Sequence, residues 1–314
     1  MTTQRSPGAA AEVRETVLLT GTAGFLGRWT AQALAGRPRV AATARSAPDG
    51  PFDIRAGADL TSEREVRQLH AALPSGPVRL IHLAGEHRSP APERLLQANV
   101  APLLHLLDVL GDRLSHLTLA SSVAIYGFPS GTPGPGPRSV DPLTAYGRSK
   151  WLQEQAAGLF RAHREVPVAV LRLASLYGEG GSTNAVGALA RCAATGGTFT
   201  VGAGPHGLSA RDYLHAEDAA RAVVAASDAL HDGALDIGSG TALSPFDLVE
   251  TARRAGEQVR VAAHASPADV TSSFACDAGP AARVLGFRPR VTLLDGFRRT
   301  LAWYRGPGGR EVRR

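Results

Sequence analysis

The chain has 314 residues, 44% of them hydrophobic and 20% charged, enough for one large domain or two smaller ones around a substantial core. Its formal charge of +6 comes from 34 basic residues interleaved with 28 acids; without a run of like charges or an aromatic platform, a nucleic-acid binder is not expected. No apolar run reaches the ~18–20 residues of a membrane span, and Cys192 and Cys276 lack zinc-type spacing, so they read as free thiols with no metal site.

Residues 1–14 lack the apolar stretch of a signal peptide. They read as a disordered leader and residues 306–314 as a tail, and the expected location is the cytoplasm. Between them, short apolar runs bounded by turn formers alternate with helical patterns. The strand candidates are TVLLT (16–20), RVAATA (39–44), VRLIHLA (78–84), LTLASS (117–122) and VAVLRLA (168–174). Nearly continuous apolarity fits strands buried on both faces. The intervening segments 25–36, 63–73, 93–110 and 145–163 carry helical periodicity. This alternation predicts an α/β protein with a doubly wound parallel sheet.

Beyond residue 178 the alternation loosens into helical segments at 181–197, 244–256 and 279–287, joined by Gly-rich connections. Residues 15–178 are therefore expected to form a dinucleotide-binding domain. Residues 179–305 are expected to form a smaller, mainly substrate-binding region, with some strands and helices returning to the first. The Pro- and Gly-rich stretch 127–142 reads as a loop near the active site.

Gly21, Gly24 and Gly27 sit between the first strand and the first helix. There, missing side chains let the backbone approach a pyrophosphate that the helix N-terminus attracts. Thr22, Ala23, Phe25 and Leu26 complete this candidate cofactor contact. At the end of the second strand, where an acid often holds a ribose 2′-hydroxyl, stand Ala44, Arg45 and Ser46. An Arg there suits a 2′-phosphate, so NADP(H) is preferred over NAD(H).

Position 150 is the chain's single lysine among 34 basic residues. It follows Tyr146 by four, which on a helix puts both on one face. A compact ammonium fits beside a phenol and a sugar hydroxyl where a planar guanidinium does not. It also favours the phenolate of a residue that ordinarily titrates near 10.

With these two motifs, the sequence resembles the extended short-chain dehydrogenase/reductases, the NAD(P)-dependent nucleotide-sugar epimerase/dehydratase family, from about residue 16 to residue 304. TGTAGFLG, ADLT, IHLAG, the Asn of QANV, SSVAIYG, YGRSK, RDYLHAEDAARA and LDIGSG carry the likeness. It implies a Rossmann-like fold and a catalytic set of Ser122, Tyr146 and Lys150. It places Asp59 and Leu60 at the adenine, and Leu83, Ala84, Gly85, Asn99, Ala120, Ser121 and Leu173 along the cofactor. Arg211 would reach a substrate diphosphate, with Glu86, His87, Ser122, Val123, Ala124, Tyr146 and Ser175 also toward the substrate. A homodimer is the family's common assembly.

Three departures qualify the likeness. Val123 and Ala124 replace the acids that serve dehydration, so 4,6-dehydration is not expected. Ser175 stands where relatives often have Asn, and the stretch before Arg211 is long. The first expectation is therefore an NADPH-dependent ketoreductase of a nucleotide-linked (dTDP or UDP) keto-deoxysugar. The alternatives are an NAD-dependent nucleotide-sugar 4-epimerase, a reductase of a non-sugar ketone or aldehyde, and a non-catalytic dinucleotide-binding sensor. His82 reads as a packed core residue, and Tyr177 and His215 as structural.

Overall fold

The computed structural model describes residues 14–38, 40–45, 52–127, 139–181, 184–202, 208–262 and 272–311. The leader up to residue 13, Ser46 and most of the Pro/Gly-rich stretch lie outside them. In chain order the first half contains β1 (Thr16–Thr20), α1 (Phe25–Ala33), β2 (Val40–Ala44), β3 (Ile54–Gly57), α2 (Glu63–Ala72), β4 (Val78–His82), α3 (Pro92–Asn99), α4 (Ala101–Leu110), β5 (Leu114–Ser122), α5 (Ala145–Arg164) and β6 (Val168–Leu173). The remainder holds β7 (Ser175–Tyr177), α6 (Ala185–Thr195), β8 (Thr198–Thr200), β9 (Arg211–His215), α7 (Ala216–Asp228), β10 (Gly233–Ile237), β11 (Ala242–Leu243), α8 (Pro245–Arg254), β12 (Arg260–Ala262), α9 (Gly279–Leu285), α10 (Leu293–Arg305) and α11 (Pro307–Glu311).

Seven strands pair in parallel in the order β10-β6-β5-β4-β1-β2-β3. This is the Rossmann-like doubly wound sheet, and its order reverses between β1 and β4, where such sheets open a ligand crevice. The two sheet faces bury separate cores. Leu18, Leu80 and Leu117 pack with α2, α4 and Ala157 of α5. Leu19, Ile81 and Leu171 pack with Ala219, Ala222 and Val223 of α7. A third cluster joins α6, α8 and α10 around Tyr177, Phe199 and Phe297. β10, although late in sequence, returns to pair with β6.

Three local expectations change. The predicted continuous helix 93–110 breaks at Val100, because Pro102 supplies no N–H for a continuing ladder and starts a new helix instead. β3 was not apparent in the sequence: it is a four-residue edge strand with alternating exposure, its polar Arg55 interrupting the apolar run. The expected tail begins as α11, where Gly308 and Gly309 let the backbone lie against Trp303 and Tyr304. Among the described residues no helix is long and apolar enough to cross a membrane.

Candidate active site

The turn between β1 and α1 depends on glycine. Gly21 has φ +76°, and a Cβ there would meet the Ala84 amide nitrogen at 2.6 Å. A Cβ on Gly27 would lie 2.0 Å from the Gly21 carbonyl oxygen. Gly24 is the N-cap of α1 and provides no side-chain acceptor, and the first turn has no acid. The first-turn N–H groups are thus left for an anion, in a cradle any side chain would fill, which fits the pyrophosphate of a dinucleotide. Thr22 is turned inward, its hydroxyl donating to Thr43 O at 3.1 Å. Leu26 packs into the core, whereas Ala23 is exposed and Phe25 half-buried.

Arg45 directly follows β2 and is exposed. Asp59 lies across from it, its carboxylate held low by the Thr61 amide and hydroxyl and further by Arg45. Leu60 is buried beneath. On the other side of β1, Leu83, Ala84 and Gly85 leave β4 at the same edge. Asn99 fastens the loop that follows: its Oδ1 accepts from Glu86 N at 2.7 Å and its Nδ2 donates to Glu86 O at 2.9 Å. The same Nδ2 donates to Ser149 Oγ at 2.8 Å, tying the loop to α5.

The candidate catalytic group sits beside this loop. β5 outreaches β4, since His82 pairs with Leu119 while Ser122 pairs with Leu173. Ser122 therefore projects past the sheet, and its Oγ accepts from Ala124 N at 3.2 Å, opening a single 3-10 turn over Val123–Tyr126. Thr144 caps α5 by accepting from Gly147 N at 3.0 Å, which leaves Tyr146 in the helix's first turn. Gly147 allows the close approach, because a Cβ there would lie 2.5 Å from Ala124 O. Ser122 hydrogen-bonds the Tyr146 phenol.

Burial pushes the Tyr146 phenol above its ordinary value, and the Ser122 hydroxyl only partly opposes this. The expected lowering by Lys150 does not prevail, because the ammonium is turned elsewhere. Lys150 Nζ donates to Ala120 O and to Gln153 Oε1, each at 2.9 Å. Burial pushes Lys150 down to about 8, with Glu154 opposing. The ammonium lies near Gly85, where a Cβ would meet Nζ at 3.4 Å.

On the side where the sequence places the substrate, His87 sets its ring edge-on to Tyr146, centroids 6.3 Å apart. Glu86 spends its carboxylate on its own loop, accepting from the amides of His87 and Arg88 at 2.7 and 2.6 Å. Val123 and Ala124 are half-buried beside Ser122. Ser175 and Arg211 stand on neighbouring strands β7 and β9, and Arg211 is buried. Leu173 is buried in the core at the end of β6. His82 is buried and shares a 2.9 Å hydrogen bond with Thr20 Oγ1. His215 receives Glu217 N at the start of α7 and donates to Glu179, a structural role.

The sequence reading missed the polar layer beneath the ammonium. Gln153 bridges Lys150 and Asn99 O, the latter at 2.7 Å, and Glu154 accepts from Ser121 and from Arg172. The available signal was positional: Gln153 and Glu154 lie three and four residues after Lys150, on the helix face that must bury.

A glycine cradle at the crevice of a doubly wound sheet, facing a Ser–Tyr–Lys group, defines an enzyme of the extended short-chain dehydrogenase/reductase type. Residues 17–238 match the NAD dependent epimerase/dehydratase family, and the chain belongs to that family. The UDP-glucose 4-epimerase of Rhizobium meliloti is 28% identical, covering 69% of this chain and 74% of that protein. The dTDP-L-rhamnose 4-epimerase of Burkholderia thailandensis is 27% identical over 91% of this chain and 94% of its own. Among solved structures, UDP-glucose 4-epimerase from Brucella ovis in complex with NAD superposes with a TM-score of 0.80. It is 26% identical, with 93% and 99% of the two chains covered.

Proposed function

We propose that the protein is a nucleotide-sugar 4-epimerase that uses NAD. The observation carrying this is the convergence of Tyr146, Ser122 and Lys150 at the strand ends beside the glycine cradle, in a chain whose relatives include UDP- and dTDP-sugar 4-epimerases. This reverses the order of preference in the sequence, where the ketoreductase came first.

The first turn of α1 would hold the pyrophosphate, Lys150 a ribose hydroxyl, and Asp59 and Leu60 the adenine side. Bound there, the dinucleotide supplies reversible hydride transfer. Tyr146 Oη removes the proton of the substrate hydroxyl and returns it once the configuration has been reset. Ser122 donates to the same oxygen, stabilising charge as it develops. The phenol, raised by burial, sits at a helix N-terminus whose dipole favours its anion. Arg211 would meet the diphosphate, with His87 and Ser175 bordering the sugar. Residues 15–178 mainly bind cofactor and 179–305 substrate, and the exposed Leu96, Leu104, Leu152 and Leu159 on α3 to α5 offer a face for a homodimer.

The test is incubation of the purified protein with UDP- and dTDP-hexoses, reading C4 configuration and cofactor redox state. Epimer formation with no net dinucleotide consumption is expected. Arg45 favours a second reading, the NADPH-dependent ketoreductase, since a cation follows β2 where an acid would hold the 2′-hydroxyl. Stoichiometric NADPH loss on a 4-keto sugar nucleotide, without epimer from any hexose, would replace the first reading with this one.

A further inference from the structure

The buried side of α5 carries a carboxylate that the roles of Tyr146, Lys150 and Ser122 leave unused. Glu154 follows Lys150 by one helical turn, and both side chains are buried. Their polar ends reach adjacent residues of β5. Lys150 Nζ donates to Ala120 O, and Glu154 Oε1 accepts from the Ser121 hydroxyl, immediately before Ser122.

From β6, Arg172 closes on the same carboxylate: Nη2 lies 2.8 Å from Oε2, and Nε lies 3.3 Å from both oxygens. Its Nη1 donates to the Tyr126 hydroxyl at 2.8 Å, which donates to Asp236 on β10 at 2.7 Å. A pair this deep adds little net stability, since desolvation offsets the attraction, and apolar residues of equal volume would fill the space as well. A negative charge one turn from a buried ammonium, however, opposes the tendency of burial to neutralise it.

We propose that Glu154 is a positioning residue for Lys150, its carboxylate clamped by Arg172 and Ser121 so that the ammonium stays charged at the sheet edge where a dinucleotide ribose would bind. The proposal rests on the role given to Lys150 above. The titratable and charged groups around that ammonium are Tyr146 and Glu154 on α5, His82 and His87 on β4 and its loop, and Arg172 of β6 acting through Glu154. Of these, Glu154 favours the charged form, while both histidines are themselves pushed down in part by Lys150.

Because position 150 holds the only lysine, protein grown on isotopically labelled lysine gives one side-chain resonance, and its titration midpoint belongs to this residue. The wild-type midpoint is expected at about 8. Glu154→Gln keeps the shape and an acceptor for Ser121 but removes the charge. It should lower the midpoint by about one pH unit, a tenfold loss of proton affinity. Dinucleotide affinity should then weaken at mildly alkaline pH and stay unchanged at mildly acidic pH. Glu154→Asp, which keeps the charge, should hold the midpoint. Since Glu154→Gln strands Arg172, the double variant Glu154→Gln/Arg172→Met removes both charges, and a downward shift of the same sign but smaller size is expected, because the Arg172 cation that disfavours the ammonium goes with the carboxylate. A folded variant lacking the carboxylate but keeping the wild-type midpoint overturns the proposal. The titration needs no substrate, so failure to epimerise sugar nucleotides would reject the proposed function and leave this result standing.

Discussion

Asn99 and Glu86 are joined twice: the Asn99 side-chain oxygen accepts the Glu86 amide and the Asn99 nitrogen donates to the Glu86 carbonyl. One buried side chain thereby replaces the strand pairing that the backbone loses on leaving β4. Asn99→Ala strands both backbone groups, at about 1–3 kcal/mol each. The variant should unfold at lower urea and bind dinucleotide at least about tenfold more weakly, since the freed loop borders the cradle. Unaltered affinity by fluorescence titration would separate Asn99 from the cofactor site.

Tyr146→Phe removes the oxygen proposed to transfer the proton and leaves the ring, the Thr144 cap and the glycine cradle in place. Turnover should fall by about a hundredfold or more, within the usual range for a general acid or base, while dinucleotide affinity stays within a few-fold. Substantial turnover in this variant would require another acid or base, and His87, edge-on to the ring, would be the first residue to examine.

Two glycine substitutions should act in opposite directions. Gly27→Ala places a methyl 2.0 Å from a backbone oxygen that has nowhere to go, so the α1 turn must open and dinucleotide binding should be lost. Gly158, on the exposed side of α5, has nothing within 4 Å of its Cβ position. Gly158→Ala should raise stability by about 0.5–1 kcal/mol, as expected for glycine in a helix interior. Thermal melts of the two variants with and without added dinucleotide check both: Gly158→Ala should melt higher, and Gly27→Ala should show no ligand-induced shift.

His82 should make the protein acid-sensitive. Burial, with Lys150 adding to it, pushes its imidazole from 6.5 down to about 3. The unfolded chain therefore binds more protons between those values. Its contribution is complete above about 6.5 and is lost as pH falls toward about 3. By about pH 5 the loss is roughly 2 kcal/mol. His82→Asn, which can keep the bond to Thr20, should flatten this part of the stability profile in urea titrations at the two pH values. An equal slope in the variant would place the titration elsewhere.

The fold was legible wherever one physical cause dominated. Apolar runs such as Val78–His82 announce buried strands, and the glycine spacing announces the cradle. The break at Val100 was harder, because the apolar period continues through Pro102 and only the missing donor stops the helix. β3 was hidden because an edge strand needs no apolar run. In the site, Tyr146 and Lys150 stood out by residue type and spacing. Gln153, Glu154 and Arg172 did not, since polar residues on a helix or strand usually face water, and their burial shows only once α5 lies against β5 and β6. The ammonium's direction was likewise a tertiary matter, decided by the Ala120 carbonyl and Gln153.

The contact of Gly147 with the Ala124 carbonyl bears on how this scaffold can change. Main chain rests on main chain there, so the backbones that carry Tyr146 and Ser122 are held at a set separation, like parts in a jig. On the roles proposed above, the walls contributed by Ser175, Arg211 and His87 could be exchanged to admit other sugars while Tyr146 and Ser122 keep their gauge, which would give mutation wide room on one side of the crevice and almost none on the other.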